Sequence, residues 1–293
     1  MRISTGYQYD SYMRDIQLAQ DNLTTISQQL ATGKRINQPS DDPVGVGTSL
    51  SLRSLQSGIQ QYMSNLNVAK GSLGYIDNAA SSMSDLLNQA YQLAVQGANS
   101  STDQTGREAM VQQISSLQSQ LINIANTQGP NGSYIFAGQK SMTKPYTISG
   151  TNIVFNGDTN AINVEVGPGQ MLQSNVSSEP TISTIYNNLE QLKNDLTGGQ
   201  VGAISGIDIT NIQDSLTDIS NLRGTVGARM QTVTSMTSQW QIRSDDLTKN
   251  ISDVEDVDLS AAMVQYQQAN QAYTAALTVA GQGSRLSLMD FIQ

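Results

Sequence analysis

The acidic run SDVEDVD, residues 252–258, sets Asp253, Glu255, Asp256 and Asp258 within two helical turns, and a second pair, Asp41-Asp42, sits in a proline-marked break far upstream. Clustered carboxylates of this kind hold calcium or share protons in acid–base catalysis. The calcium reading fails on spacing. An EF-hand loop begun at Asp253 or Asp256 lacks both the glycine at its sixth position and the distant Glu. The run reads instead as an acidic helix start ahead of LSAAMVQYQQANQAY, where the helix dipole favours negative charge. At the other pair, Ser40 or Asp42 reads as the N-cap of the next helix, with Pro43 in its first turn. The chain contains no histidine and no cysteine. Disulfides, thiolate chemistry and the commonest metal ligands and general base are therefore out of reach. No nucleophile-elbow, phosphate-loop or dinucleotide-binding string occurs. The expectation is a protein that is not an enzyme, with no cofactor and no metal site.

Composition points the same way. Of 293 residues only 13% are charged and 5% aromatic, and the formal charge is −9. Gln, Ser, Asn and Thr fill much of the remainder, which suits surfaces that later meet other protein. No basic run exceeds Lys34-Arg35, so neither nucleic acid nor an anionic membrane is an expected partner. The opening MRISTGYQYD lacks the apolar stretch of a secretory signal, and no window reaches the roughly 18 apolar residues of a membrane span.

The elements that carry these residues follow from hydrophobic period. Tyr12, Ile16, Ala19, Leu23, Ile26 and Leu30 form one face of a helix over about residues 8–32, which Gly33 is suited to stop. The rhythm resumes from Leu52 through Leu66, Leu73, Ile76, Met83 and Leu87 to Ala90, a single long helix of roughly 60–75 Å. A third segment runs Met110, Ile114, Leu117, Leu121, Ile124. The period then changes. GPNGSYIFAG, KPYTISG, TNIVFNG and INVEVGPG are short runs broken by Gly, Pro and Asn, and read as hairpins in a small insert over residues 131–180. A short helix, TIYNNLEQLKNDL, and a Gly-rich loop, TGGQVGAISGID, lead back to a long helical rhythm from Ile212 to Val254, in which Trp240 takes a seam position. A last segment follows through Leu259, Ala262, Tyr266, Ala269, Tyr273, Ala276 and Ala280. The predicted fold is mainly α with a small β-rich insert, an elongated antiparallel coiled-coil bundle of N- and C-terminal arms. Its parts are terminal helices over 1–45 and 255–293, a helical bundle over 46–130 and 181–254, and the insert over 131–180.

An isolated helix of the length of residues 8–32 is marginal in water, so its apolar stripe needs a partner. The chain also ends in RLSLMDFIQ, where Leu286, Leu288, Met289, Phe291 and Ile292 crowd together. Two readings stay open: these ends dock on their own bundle, or they find most of their burial between copies, where contacts that do not close build helical assemblies.

Two long stretches carry a family likeness. LATGKRINQPSDDPVGVGTSLSLRS resembles the N-terminal signature of bacterial flagellins, and NISDVEDVDLSAAMVQYQQANQAYTAALTVAGQGSRLSLMDFI their C-terminal one. GPNGSYIFAGQKSMTKPY, NLRGTVGARMQ and the SLMDFI ending resemble the hook-associated junction branch of that family more than the filament branch. The resemblance spans the helical frame and weakens within the insert after about residue 146. It implies a structural subunit joining the hook side to the filament outside the cell, exported unfolded through the flagellar type III apparatus without a cleaved signal peptide. It also implies terminal helices that are partly disordered in the monomer and order in the inner tube of a helical or ring-like homo-oligomer. The implied partners are a hook-side hook-associated protein, filament flagellin and a cytoplasmic export chaperone at the C-terminal region. By resemblance, Arg35, Asn37, Asp41 and Asp42 make polar contacts to neighbouring copies in a spoke between inner helix and outer bundle. Leu23, Ile26, Leu30, Tyr266, Tyr273 and Leu277 complete the expected assembly interface, and Leu286, Leu288, Phe291 and Ile292 serve assembly, chaperone binding or both. The alternatives are a filament-forming flagellin with a small outer domain and, from another class, a secreted enzyme or adhesin on a coiled-coil stalk.

Overall fold

The computed structural model describes residues 5–99 and 103–289, the side chains of 5, 6, 8 and 283–289 excepted. Two compact units emerge, one formed by 1–58 with 243–293 and the other by 59–242. The dividing line crosses two long helices, α2 (Pro43–Gly97) and α6 (Ile209–Glu255).

In the first unit, α1 (Thr5–Thr32) runs antiparallel to α7 (Leu259–Met289). Gly33 ends α1 in the left-handed region, at φ +70°, where a side chain would be strained. Ile26 from α1 and Ala262 and Ala269 from α7 are buried, as are Leu247 and Ile251 near the end of α6. The seam expected from Leu52 onward is not continuous here, because Leu55 is exposed and steady burial on α2 begins at Ile59.

The second unit holds the main core. Leu66, Leu73, Ile76, Met83 and Leu87 of α2 pack with Ile114 and Leu121 of α3 (Gln104–Ala125), Ile185 and Leu189 of α4 (Thr181–Gly198), and Ile219 and Val226 of α6. Returning to the same face every three or four residues is what lets one stripe be buried along its length. Links between α2 and α6 climb one helix as they descend the other: Tyr62 lies against Trp240, Asp77 pairs with Arg223 at 3.0 Å, and the Tyr91 hydroxyl accepts from Gln213.

The insert is two separate antiparallel hairpins, β1 (Tyr146–Ser149) with β2 (Asn152–Phe155) and β3 (Asn163–Gly167) with β4 (Gln170–Gln173). Tyr146 anchors the first. It is wholly buried, and its backbone N–H and carbonyl are both met by the side-chain amide of Asn126, at 3.0 and 2.9 Å. The second is tied to the helices by the Trp240 indole, which donates to the Val166 carbonyl at 2.7 Å, and by Arg229, which donates to the Asn175 carbonyl and Gln173.

Two sequence expectations are corrected. GPNGSYIFAG forms no strand; it winds through turns with Gly132 and Gly138 at positive φ, and buries Phe136 and Ala137. The supposed Gly-rich loop TGGQVGAISGID is open only around Gly199 and Gln200. Beyond them come a single turn, α5 (Val201–Ala203), and a π-helical segment, Ile204–Asp208, that feeds directly into α6. Burial of Ile204 gives the segment a tertiary anchor that offsets the helix-weakening effect of its glycines.

Candidate assembly surface and its electrostatic clasp

The turn between α1 and α2 is built by its own polar side chains. Asp42 caps α2, its Oδ1 accepting from Gly45 N at 2.8 Å, while its Oδ2 pairs with Arg35 at 3.1 Å. The Gly45 hydrogen bond, then the Arg35 guanidinium, hold the Asp42 carboxyl below its ordinary value. Asp41 Oδ2 accepts from the backbone of both Asn37 and Gln38 at 2.9 Å, and Asn37 donates to the Lys34 carbonyl. Gly45 leaves room for this arrangement, since a Cβ there would come within 2.5–2.8 Å of the Asp42 and Ile36 side chains and one of them would have to shift. Arg35, Asn37, Asp41 and Asp42 are thus brought together, each with bonds inside its own chain.

Sequence spacing missed the larger device. Arg35 N donates to the Glu255 carbonyl at 2.6 Å, and Val257 N to that of Gly33 at 3.0 Å. Above this short bridge Glu255 takes Arg53 through both carboxylate oxygens, at 3.0 and 2.6 Å, the Ser49 hydroxyl, and Lys34 at 3.4 Å. Lys34 also pairs with Asp256 at 2.5 Å, and Arg35 donates to the Val254 carbonyl at 2.8 Å. The Arg53 hydrogen bond is the largest influence bringing Glu255 down to about 2. The clasp corrects the reading of SDVEDVD as a helix start. Asp258 alone caps α7, accepting from Ser260 and Ala261, whereas Asp253 and Glu255 close α6, where the dipole disfavours anions. Arg53 and Lys34 offset that penalty at Glu255.

Next to the clasp lies an open cleft of about 370 Å³ whose apolar wall is Ile36, Pro39, Val46 and Leu50. Along α1, Leu23 and Leu30 are half-buried beside the buried Ile26; along α7, Tyr266 and Tyr273 are half-buried and Leu277 is exposed. Leu286 and Leu288 fall within α7, but their side chains, with all of Phe291 and Ile292, lie outside the described residues. Leu18 of α1 and Leu259, Met263, Val264 and Val279 of α7 remain exposed beside the α1–α7 pairing, apolar side chains left without cover among the described residues of the single chain. Among the described residues no three metal-ligating side chains converge, and no helix is long and apolar enough to cross a membrane.

The sequence profile described as bacterial flagellin N-terminal helical region matches residues 3–141, and that described as bacterial flagellin C-terminal helical region matches 209–292. The chain is 27% identical to flagellar hook-associated protein 3 of Escherichia coli K12, covering 95% of this chain and 96% of that protein. It is 26% identical to a flagellin of Listeria innocua, over 89% of each. Among solved structures, a putative flagellar hook-associated protein from Vibrio parahaemolyticus matches with a TM-score of 0.65 and 21% identity, covering 74% of this chain and all of that one.

Proposed function

The chain belongs to the bacterial flagellin family, and on that premise we propose that it is a structural subunit of the flagellum, the adaptor that joins the hook region to the flagellin filament. The observation that carries this reading is the set of large apolar side chains that the α1–α7 pair leaves exposed. Leu18 on one helix and Leu259, Met263 and Val264 on the other stay in water in the single chain, and contact with further helices would remove that surface at about 25 cal/mol per Å². The work of such a protein is mechanical, carried by packing. The match to hook-associated protein 3 over nearly its whole length favours the adaptor above the filament subunit.

In this reading the terminal helices assemble copies into a ring or short helix, with a hook-side hook-associated protein on one face and flagellin on the other. Leu23, Ile26, Leu30, Tyr266, Tyr273 and Leu277 hold the inner pairs, and the exposed part of the 35–42 turn meets neighbouring copies. An export chaperone holds the last residues, Leu286 to Ile292, before the chain leaves through the type III apparatus to its place outside the cell. The test is deletion of the gene in the source organism with complementation. Cells lacking the chain are expected to shed flagellin monomers, retain hooks and stop swimming, and the purified chain alone is expected to form no long filaments. Long filaments grown from the purified chain by itself would identify a filament subunit and overturn the adaptor reading.

A further inference from the structure

The last turn of α4 and the π-helical segment before α6 bring together two aspartates outside the proposed assembly surface. Asp208 is 1% exposed, and no donor reaches either of its carboxylate oxygens. An ionised carboxylate enclosed without a donor is among the costlier arrangements a fold can hold. The ionisable group that acts on it is Asp195 of α4, within hydrogen-bonding reach and adding its own charge. Two carboxylates can bond to each other only if one carries a proton.

The surroundings supply no substitute. Gly199, at φ +66°, turns the chain out of α4, with Gln200 N donating to the Asp195 carbonyl at 2.9 Å. Leu196 and Ile204, both fully buried, close the corner. From α3, the Arg107 guanidinium lies against Gly199 and donates to Gln104. On α4 itself, Lys193 is paired with Glu190. The end of α2, packed on Leu196 through Gly97, carries no charged side chain from residue 89 to 99, and its Tyr91 hydroxyl is engaged by Gln213. The next acid along α6 is Asp214. Among the described residues, no cation is paired with Asp208.

We propose that Asp195 and Asp208 form a proton-sharing clasp that holds the corner between α4 and α6 closed at acid to neutral pH and loosens it when the proton leaves. Burial, and after it the Asp195 charge, pushes the Asp208 carboxyl up to about 7 from 3.8. The folded chain therefore keeps a proton that the unfolded chain has released. This contribution to stability is full below about pH 4, falls as pH rises from there through 7, and is flat above. Above neutrality the corner holds two adjacent negative charges, and residues 195–210 open more often, uncovering Leu196 and Ile204. The clasp is independent of the assembly reading, since it belongs to the single chain.

Amide exchange of residues 195–212 in the full chain, corrected for intrinsic rates and followed from about pH 6 to 8.5, tests it, together with carboxyl-carbon NMR titration of both aspartates. The opening constant of the wild type is expected to rise by at least about tenfold, with one carboxyl titrating near neutrality. In D208N the Asn amide donates to Asp195 permanently, and the rise is expected to vanish. D195N decides the matter in the same way if D208N fails to fold. Unchanged opening across the range in the wild type, or an equal rise in both variants, would overturn the clasp. So would suppression of the rise by added Mg²⁺ or Ca²⁺ alone, which would make the pair a cation site.

Discussion

Replacing Glu255 with Gln removes one charge from the clasp at the end of α6 and leaves the shape nearly unchanged. In the folded chain Glu255 titrates at about 2 against an ordinary 4.5, which corresponds to at most about 3 kcal/mol. Its side chain is only 12% exposed, but those of Arg53 and Lys34 are 53% and 40% exposed. Water therefore screens the pairs, and the expected loss is about 1–2 kcal/mol. Because the folded value is depressed, the contribution is present above pH 4.5 and is lost as pH falls toward 2. The readout is exchange of the Arg35 and Val257 amides, whose bonds to Glu255 and Gly33 carbonyls form the bridge beneath the clasp. Protection at pH 7 is expected to fall about 5- to 30-fold in E255Q, with the deficit shrinking as the wild type is acidified to about pH 2. Equal protection in the two chains at pH 7, or a deficit undiminished in acid, would refute the electrostatic account.

Asn126→Ala leaves the buried backbone N–H and carbonyl of Tyr146 without partners and is expected to cost about 2–4 kcal/mol in urea unfolding; a change below about 0.5 kcal/mol would mean that water replaces the amide. Gly138→Ala, at φ +63° and with its Cβ directed into the Asp158 carbonyl, is expected to lower stability by more than about 2 kcal/mol. A thermal midpoint equal to that of the wild type would contradict that contact.

What could be read in advance was whatever a few neighbouring residues decide. The step of three and four that carries Leu66 through Leu87 along one face of α2 placed the core before any coordinates, since helical geometry alone returns those positions to one side. Ser40 or Asp42 ahead of Pro43 announced a cap for the same local reason, and Asp42 is the one that takes it. The absence of histidine and cysteine narrowed the chemistry outright. Tertiary packing decided the rest. It wound the glycine-marked stretch after Gln200 into a π segment because Ile204 had somewhere to be buried. It turned FAG from an expected strand into a plug, and joined Glu255 to Lys34 and Arg53 across some two hundred residues. No periodicity links charges that far apart in sequence; only the meeting of helix ends in space makes an unfavourable acid at the end of α6 into the centre of a clasp.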